Sequence, residues 1–149
     1  MTDIDIVLRK LAVLRDHVLR AQRRRPASAD ILIDDLDLQD ALCMSLLVAI
    51  QEAIDIAFHI AADQGWGVPS SNAEAFEIIS RNGVLSTELA QAMGRAAALR
   101  NRIAHGYASV DLARLWAEIP AGIDALNQYA GKVAELLQRG VVPADGASS

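Results

Sequence analysis

Apolar residues recur at three- and four-residue spacing along most of the chain, and no stretch shows the sustained alternation that a half-buried strand requires. The pattern predicts an all-α protein. A first helix is expected over residues 3–24, with Ile6, Leu11, Leu14, Val18 and Ala21 toward the core, ending before Pro26 in the basic run Arg23, Arg24, Arg25. Cations suit that end, where unpaired carbonyls concentrate partial negative charge. The same run also suits an RNA- or partner-facing patch.

A second, longer helix is expected over residues 29–63, its start marked by Asp30, Asp34, Asp35 and Asp37. Across residues 42–60 it is apolar around most of its circumference, which predicts a central helix or one shared between core and subunit interface. Gln51, Asp55 and His59 interrupt that surface at steps of four and so share one stripe. Such a stripe is either a hydrogen-bonded set in the packed interior or the lining of a cleft. Residues 64–71, with Gly65, Gly67 and Pro69, predict a loop. A short helix follows, capped by Ser71 or Asn72 and closed by Asn82-Gly83, and Ser86 or Thr87 caps the next, which runs to about His105 with Gly106 as its stop. Across residues 110–137, Leu112, Trp116, Ile119, Ile123, Leu126, Ala130, Val133 and Leu137 make a heptad seam, and Pro120 within it predicts a kink or a short break. Residues 1–139 read as one domain and residues 140–149 as a disordered tail.

Composition narrows the function. With 52% hydrophobic and 22% charged residues among 149, the chain can bury one folded core. Charge-free stretches such as residues 41–51 fall short of the roughly 20 apolar residues of a bilayer span. The start has neither a basic n-region nor an apolar h-region, which points to the cytoplasm, and the single Cys43 permits no internal disulfide and reads as a buried thiol. A net charge of −5, from 14 Lys+Arg against 19 Asp+Glu, argues against nonspecific duplex binding while leaving room for a locally basic cleft. There is no Gly-rich phosphate loop, His-Glu-x-x-His, Cys-His cluster or acidic calcium loop, so P-loop hydrolysis, zinc hydrolysis and EF-hand sensing lose their usual carriers.

The densest polar chemistry is Arg100-Asn101-Arg102-Ile103-Ala104-His105-Gly106-Tyr107, at the end of a predicted helix. Histidine transfers protons near neutrality, and the planar arginine fork pairs with phosphate oxygens. Asn101 and Arg102 lie one turn before His105 and share its face, whereas Arg100 sits about 140° away by the helical period. Such a cluster can equally satisfy the last carbonyls of its helix.

The Arg100-x4-His105-x-Tyr107 pattern resembles the Arg-x4-His-x-Tyr signature of HepT-like HEPN toxins. The resemblance covers roughly residues 4–138: the apolar second helix with Gln51, Asp55 and His59, the Trp-Gly-x-Pro loop, the short helix around Phe76 and the last helix opened by Asp111. Ile103-Ala104, where relatives often carry Leu-Val, is a mild departure. The resemblance implies an antiparallel HEPN-like bundle of about five helices forming a two-fold homodimer whose motifs face each other. It implies the toxin of a type VII-like toxin–antitoxin system, a metal-independent endoribonuclease without cofactor. Arg100 and His105 would be catalytic, Asn101 and Arg102 auxiliary or phosphate-binding, and Asp55 a cleft residue. The partner would be a MntA-type nucleotidyltransferase antitoxin that transfers AMP onto Tyr107. The alternative is a catalytically silent helical dimer that binds a nucleotidyltransferase or a nucleotide.

Overall fold

A computed structural model describes residues 3–106 and 110–140. The modification expected at Tyr107 and, apart from Gly140, the tail expected over residues 140–149 lie outside these residues. Among the described residues six helices follow one another: α1 (Ile4–Arg24), α2 (Ala29–Asp34), α3 (Leu36–Asp63), α4 (Asn72–Arg81), α5 (Thr87–Ala104) and α6 (Leu112–Gln138). No strand occurs among the described residues, as the spacing predicts. A side-chain oxygen caps every helix: Asp3, Ser28, Asp35, Ser71, Ser86 and Asp111 each accept from an amide of the first turn that has no carbonyl partner within the helix.

The helix expected over residues 29–63 is divided at Asp35. The Asp35 carboxylate accepts from the Leu38 amide at 3.0 Å, starting α3, while Gln39 Nε2 donates to the Leu32 and Ile33 carbonyls at 2.9 and 3.0 Å, closing α2. Gln39 is thereby buried with its amide donors satisfied. This division makes six helices of the expected five.

α3 is the centre of the bundle and packs against each of the other five helices. By length and composition it could cross a bilayer, which the charge-free stretches of the sequence understate. Its apolar circumference is instead consumed by the core, with Leu42, Ile50, Ile54, Ile56 and Ile60 all nearly or fully inaccessible. On α1 the buried row is Val7, Leu11, Leu14, Val18 and Ala21, with Val7 taking the place expected for Ile6.

α6 is wider on its apolar side than a heptad seam. Leu115, Ala125, Tyr129 and Leu136 join Ile119, Ile123, Leu126, Ala130 and Val133 in the core, while Leu112, Trp116 and Leu137 are only partly buried. Tyr129 is fully buried, edge-on to Phe76 at 5.5 Å between ring centroids, and its hydroxyl donates to the Ala53 carbonyl at 2.7 Å. Burial pushes this phenol well above its ordinary range, with Asp55 adding to the effect.

α6 also passes through Pro120 without a break. Proline has no N–H to give the Trp116 carbonyl four residues earlier. That carbonyl accepts instead from Arg25 Nε at 2.9 Å, the Arg25 guanidinium lies 4.0 Å above the Trp116 ring, and Trp116 Nε1 donates to the Pro26 carbonyl at 2.8 Å. Arg24 Nη1 meets Ser45 Oγ at 2.7 Å. Two of the three arginines in the basic run thus fasten the end of α1 to α3 and α6.

Candidate functional site at the end of α5

Ser86 starts α5 by accepting from the Leu89 amide at 3.1 Å, and Leu89, Ala90, Met93, Ala97 and Ile103 bury one side of the helix. The opposite outcome at its C-terminus is set by glycine. His105 is the C-cap, its amide reaching the Asn101 carbonyl at 3.1 Å, and the Gly106 amide reaches Ile103 at 3.1 Å. Gly106 then turns the chain at φ +109°, a conformation that costs a side-chain-bearing residue dearly. Ile103 is the apolar anchor of this last turn, so Asn101, Arg102 and His105 are held at the surface around it.

Arg100 is half-buried. Its Nη1 donates to Asn101 Oδ1 at 3.2 Å, and its Nε is shut off from solvent with no hydrogen-bond partner among the described residues. A shielded donor on a permanent cation is costly unless something accepts from it. An anion placed against the guanidinium would balance its charge through the Nη groups, since Nε itself is covered. Asn101 already turns one side of the fork, leaving the group oriented instead of free to rotate.

The helix continues unbroken to Ala104, so Arg100 and His105 diverge by about 140° around its axis, and no hydrogen bond joins them. Asp55 lies in a different setting. Its Oδ1 accepts from Gln51 Nε2 at 2.8 Å and its Oδ2 faces Lys10 Nζ at 3.4 Å, while Lys10 also meets Glu52 at 3.3 Å. His59 Nδ1 continues the stripe to Asp63 at 3.6 Å. Burial works against the charge on Lys10, but Glu52 and Asp55 outweigh it and hold the ammonium above its ordinary value. The stripe on α3 therefore finds partners along the seam with α1, and no contact ties Asp55 to Arg100 or His105. Lys10 was not legible as its partner, because nothing local connects residues 45 positions apart.

A cavity of about 320 Å³ opens beside the same end of α5, between α3, α5 and α6, and Arg95 and Arg102 of α5 and Arg114 of α6 line it. Spacing along α5 already brings Arg95 and Arg102 to one side, whereas Arg114 joins them only because α6 packs beside that helix. No group of three or more His, Cys, Asp or Glu among the described residues is arranged to hold a metal ion.

Comparison with known proteins gives a consistent picture. The family model described as ribonuclease HepT-like matches residues 7–133. The chain is 28% identical over 108 residues to an mRNA nuclease HepT of Shewanella oneidensis, covering 72% of this chain and 80% of the relative. It is 28% identical over 131 residues to a tRNA nuclease HepT of Aphanizomenon flos-aquae, covering 87% of each. Among solved structures, a tri-AMPylated HEPN toxin of Shewanella oneidensis in complex with MNT antitoxin superposes with a TM-score of 0.80 at 24% identity, over 91% of this chain and 99% of that one. YutE of Bacillus subtilis, a cytosolic protein of unknown function, shares the fold at a TM-score of 0.82 and 14% identity, over 97% of this chain and 96% of that one.

Proposed function

Since the chain belongs to the ribonuclease HepT-like family, we propose that it is the toxin of a toxin–antitoxin pair and cleaves RNA internally without a metal ion. The observation that carries this reading is Arg100: a half-buried cation, oriented by Asn101, with a shielded Nε that lacks an acceptor, five residues before an exposed His105. The names of the relatives, mRNA nuclease and tRNA nuclease, agree with it.

In the proposed reaction the RNA 2′-hydroxyl oxygen attacks the adjacent phosphorus and the bond to the 5′-oxygen breaks. The products are a 2′,3′-cyclic phosphate and a free 5′-hydroxyl, so the proton lost by the 2′-hydroxyl is balanced by the one gained at the leaving oxygen. His105 assists that transfer, and Arg100 stabilises the charge that builds on the phosphorane-like transition state. Arg102 and Asn101 bind phosphate and orient the fork. Because Arg100 and His105 diverge on one helix, a two-fold homodimer that sets the arginine of one protomer near the histidine of the other would complete the site. Asp55, held by Lys10 and Gln51, would act at most from the cleft's edge.

Restraint would come from a MntA-type nucleotidyltransferase that attaches AMP to Tyr107, adding bulk and negative charge beside the cleft. The AMP-modified state of a similar toxin in complex with its antitoxin supports this part of the reading.

The test is RNA cleavage in EDTA. Wild-type protein is expected to cut, and Arg100→Ala and His105→Ala, shown folded by circular dichroism, to lose the activity by two or more orders of magnitude. Full activity in either folded variant refutes the mechanism. A wild type that cuts nothing yet captures the nucleotidyltransferase would mark a catalytically silent binding module.

A further inference from the structure

The cavity between α3, α5 and α6 shares Arg102 with the proposed chemistry and has otherwise been given no role. Its floor is apolar, with Leu46 and Ile50 of α3 and Leu126 of α6, and its volume of about 320 Å³ lies at the small end of ligand pockets, which run roughly 300–1,000 Å³. Its mouth is basic in a chain that is acidic overall. Arg95 and Arg102 stand on α5, and Arg114 stands on α6 with its Nε paired to Glu118 at 2.8 Å, so the residues lining the cavity include three arginines and one carboxylate. Arg95, Leu99 and Arg102 fall at steps of four and three along α5, and His105 continues that stripe one turn on, about 4.5 Å along the axis from Arg102.

A flat apolar body carrying an anionic group suits this combination, and a nucleotide of the RNA strand is the ligand whose parts are spaced to reach both the cavity and His105. We propose that the cavity is a nucleobase subsite. It takes the base of a nucleotide flanking the scissile linkage, with the adjoining phosphate on Arg95 and Arg102, and so selects where the strand is cut. The proposal rests on the ribonuclease reading above.

Gly122 offers a direct test. It lines the cavity from α6, and a Cβ built on it meets no atom within 4 Å, so Gly122→Leu fills the space without crowding the core. Short fluorescein-labelled RNAs carrying one abasic ribose at successive positions would be measured for binding by anisotropy and for cleavage in EDTA. For the wild type, one abasic position is expected to lower affinity about tenfold, the size of a lost base contact. Gly122→Leu should lower affinity for intact RNA by the same factor and leave binding of that abasic RNA unchanged. Arg95→Ala, a change at an exposed side chain, should weaken intact RNA and reduce the slope of log affinity against log salt by about one.

Wild-type cleavage that ignores every abasic substitution overturns the subsite and leaves the ribonuclease reading standing. So does a Gly122→Leu protein that binds and cuts like wild type, or one that light scattering shows to have lost its partner subunit, since the cavity would then be filled by a second copy. If Gly122→Leu does not fold, the abasic series and Arg95→Ala decide. Wild-type protein that neither binds nor cuts RNA brings down the ribonuclease reading and the subsite together.

Discussion

The Arg25–Trp116–Pro120 arrangement makes a quantitative prediction about how a proline is carried inside a core helix. Pro120 leaves the Trp116 carbonyl without its helical donor, and Arg25 Nε supplies one at 2.9 Å while its guanidinium covers the indole at 4.0 Å. A hydrogen bond from a charged donor contributes roughly 1.5–3 kcal/mol, and a partly exposed cation–π contact about 0.5–1 kcal/mol. Because one guanidinium makes both, Arg25→Ala is expected to cost about 2–3 kcal/mol. For a domain of this size that lowers Tm by about 5–10 °C. The decisive step is the double-mutant cycle with Pro120→Ala, which restores an amide able to reach the Trp116 carbonyl four residues back. In that background Arg25→Ala should cost only about 1 kcal/mol, the part due to the indole contact. Urea unfolding followed by far-ultraviolet circular dichroism reads all four proteins without relying on Trp116 as reporter. Equal costs of Arg25→Ala in the two backgrounds would refute the reasoning, because the carbonyl would then not be what Arg25 satisfies.

Three further predictions concern single side chains. Arg100→Lys keeps the charge but not the fork, so cleavage in EDTA should stay within about tenfold of Arg100→Ala; recovery of most of the wild-type rate would show that charge alone suffices. Burial, together with Arg20, holds the His17 imidazole below its ordinary value of 6.5, although Asp16 and Glu52 pull the other way and Arg24 adds to the lowering. The unfolded chain therefore binds more protons at this site, so its contribution to stability is intact above about pH 6.5 and is lost as pH falls through the depressed value; His17→Gln should flatten the decline of Tm over that interval, and an unchanged profile would exclude the assignment. Burial, aided by Asp40, pushes the Cys43 thiol up to about 11, so iodoacetamide should label it in urea and leave it untouched in buffer, as intact mass will report.

The chain's own pattern determined the all-helical class, narrowed two caps to Ser71 or Asn72 and to Ser86 or Thr87, of which the serines are used, and placed the end of α5 at His105-Gly106. These features depend on residues within one or two turns of each other, where spacing and capping chemistry act directly. The Arg100, Asn101, Arg102 and His105 cluster stands out as a candidate for the same reason, because its four residues fall within six consecutive positions.

Other features needed the fold. Asp35 and Gln39 divide one apolar run into two helices by competing for the backbone groups at the junction, a contest that hydrophobic periodicity does not register. Pro120 reads as a breaker until Arg25, 95 positions away, supplies the missing donor, and Tyr129 reads as outside the seam until the Ala53 carbonyl receives its hydroxyl. Lys10 answers Asp55 across a helix seam, and the basic-mouthed cavity exists only where α3, α5 and α6 meet. Local sequence selects helices by the groups each residue can reach along the chain. Which unsatisfied donors, acceptors and charges find one another across it is decided only when the helices pack.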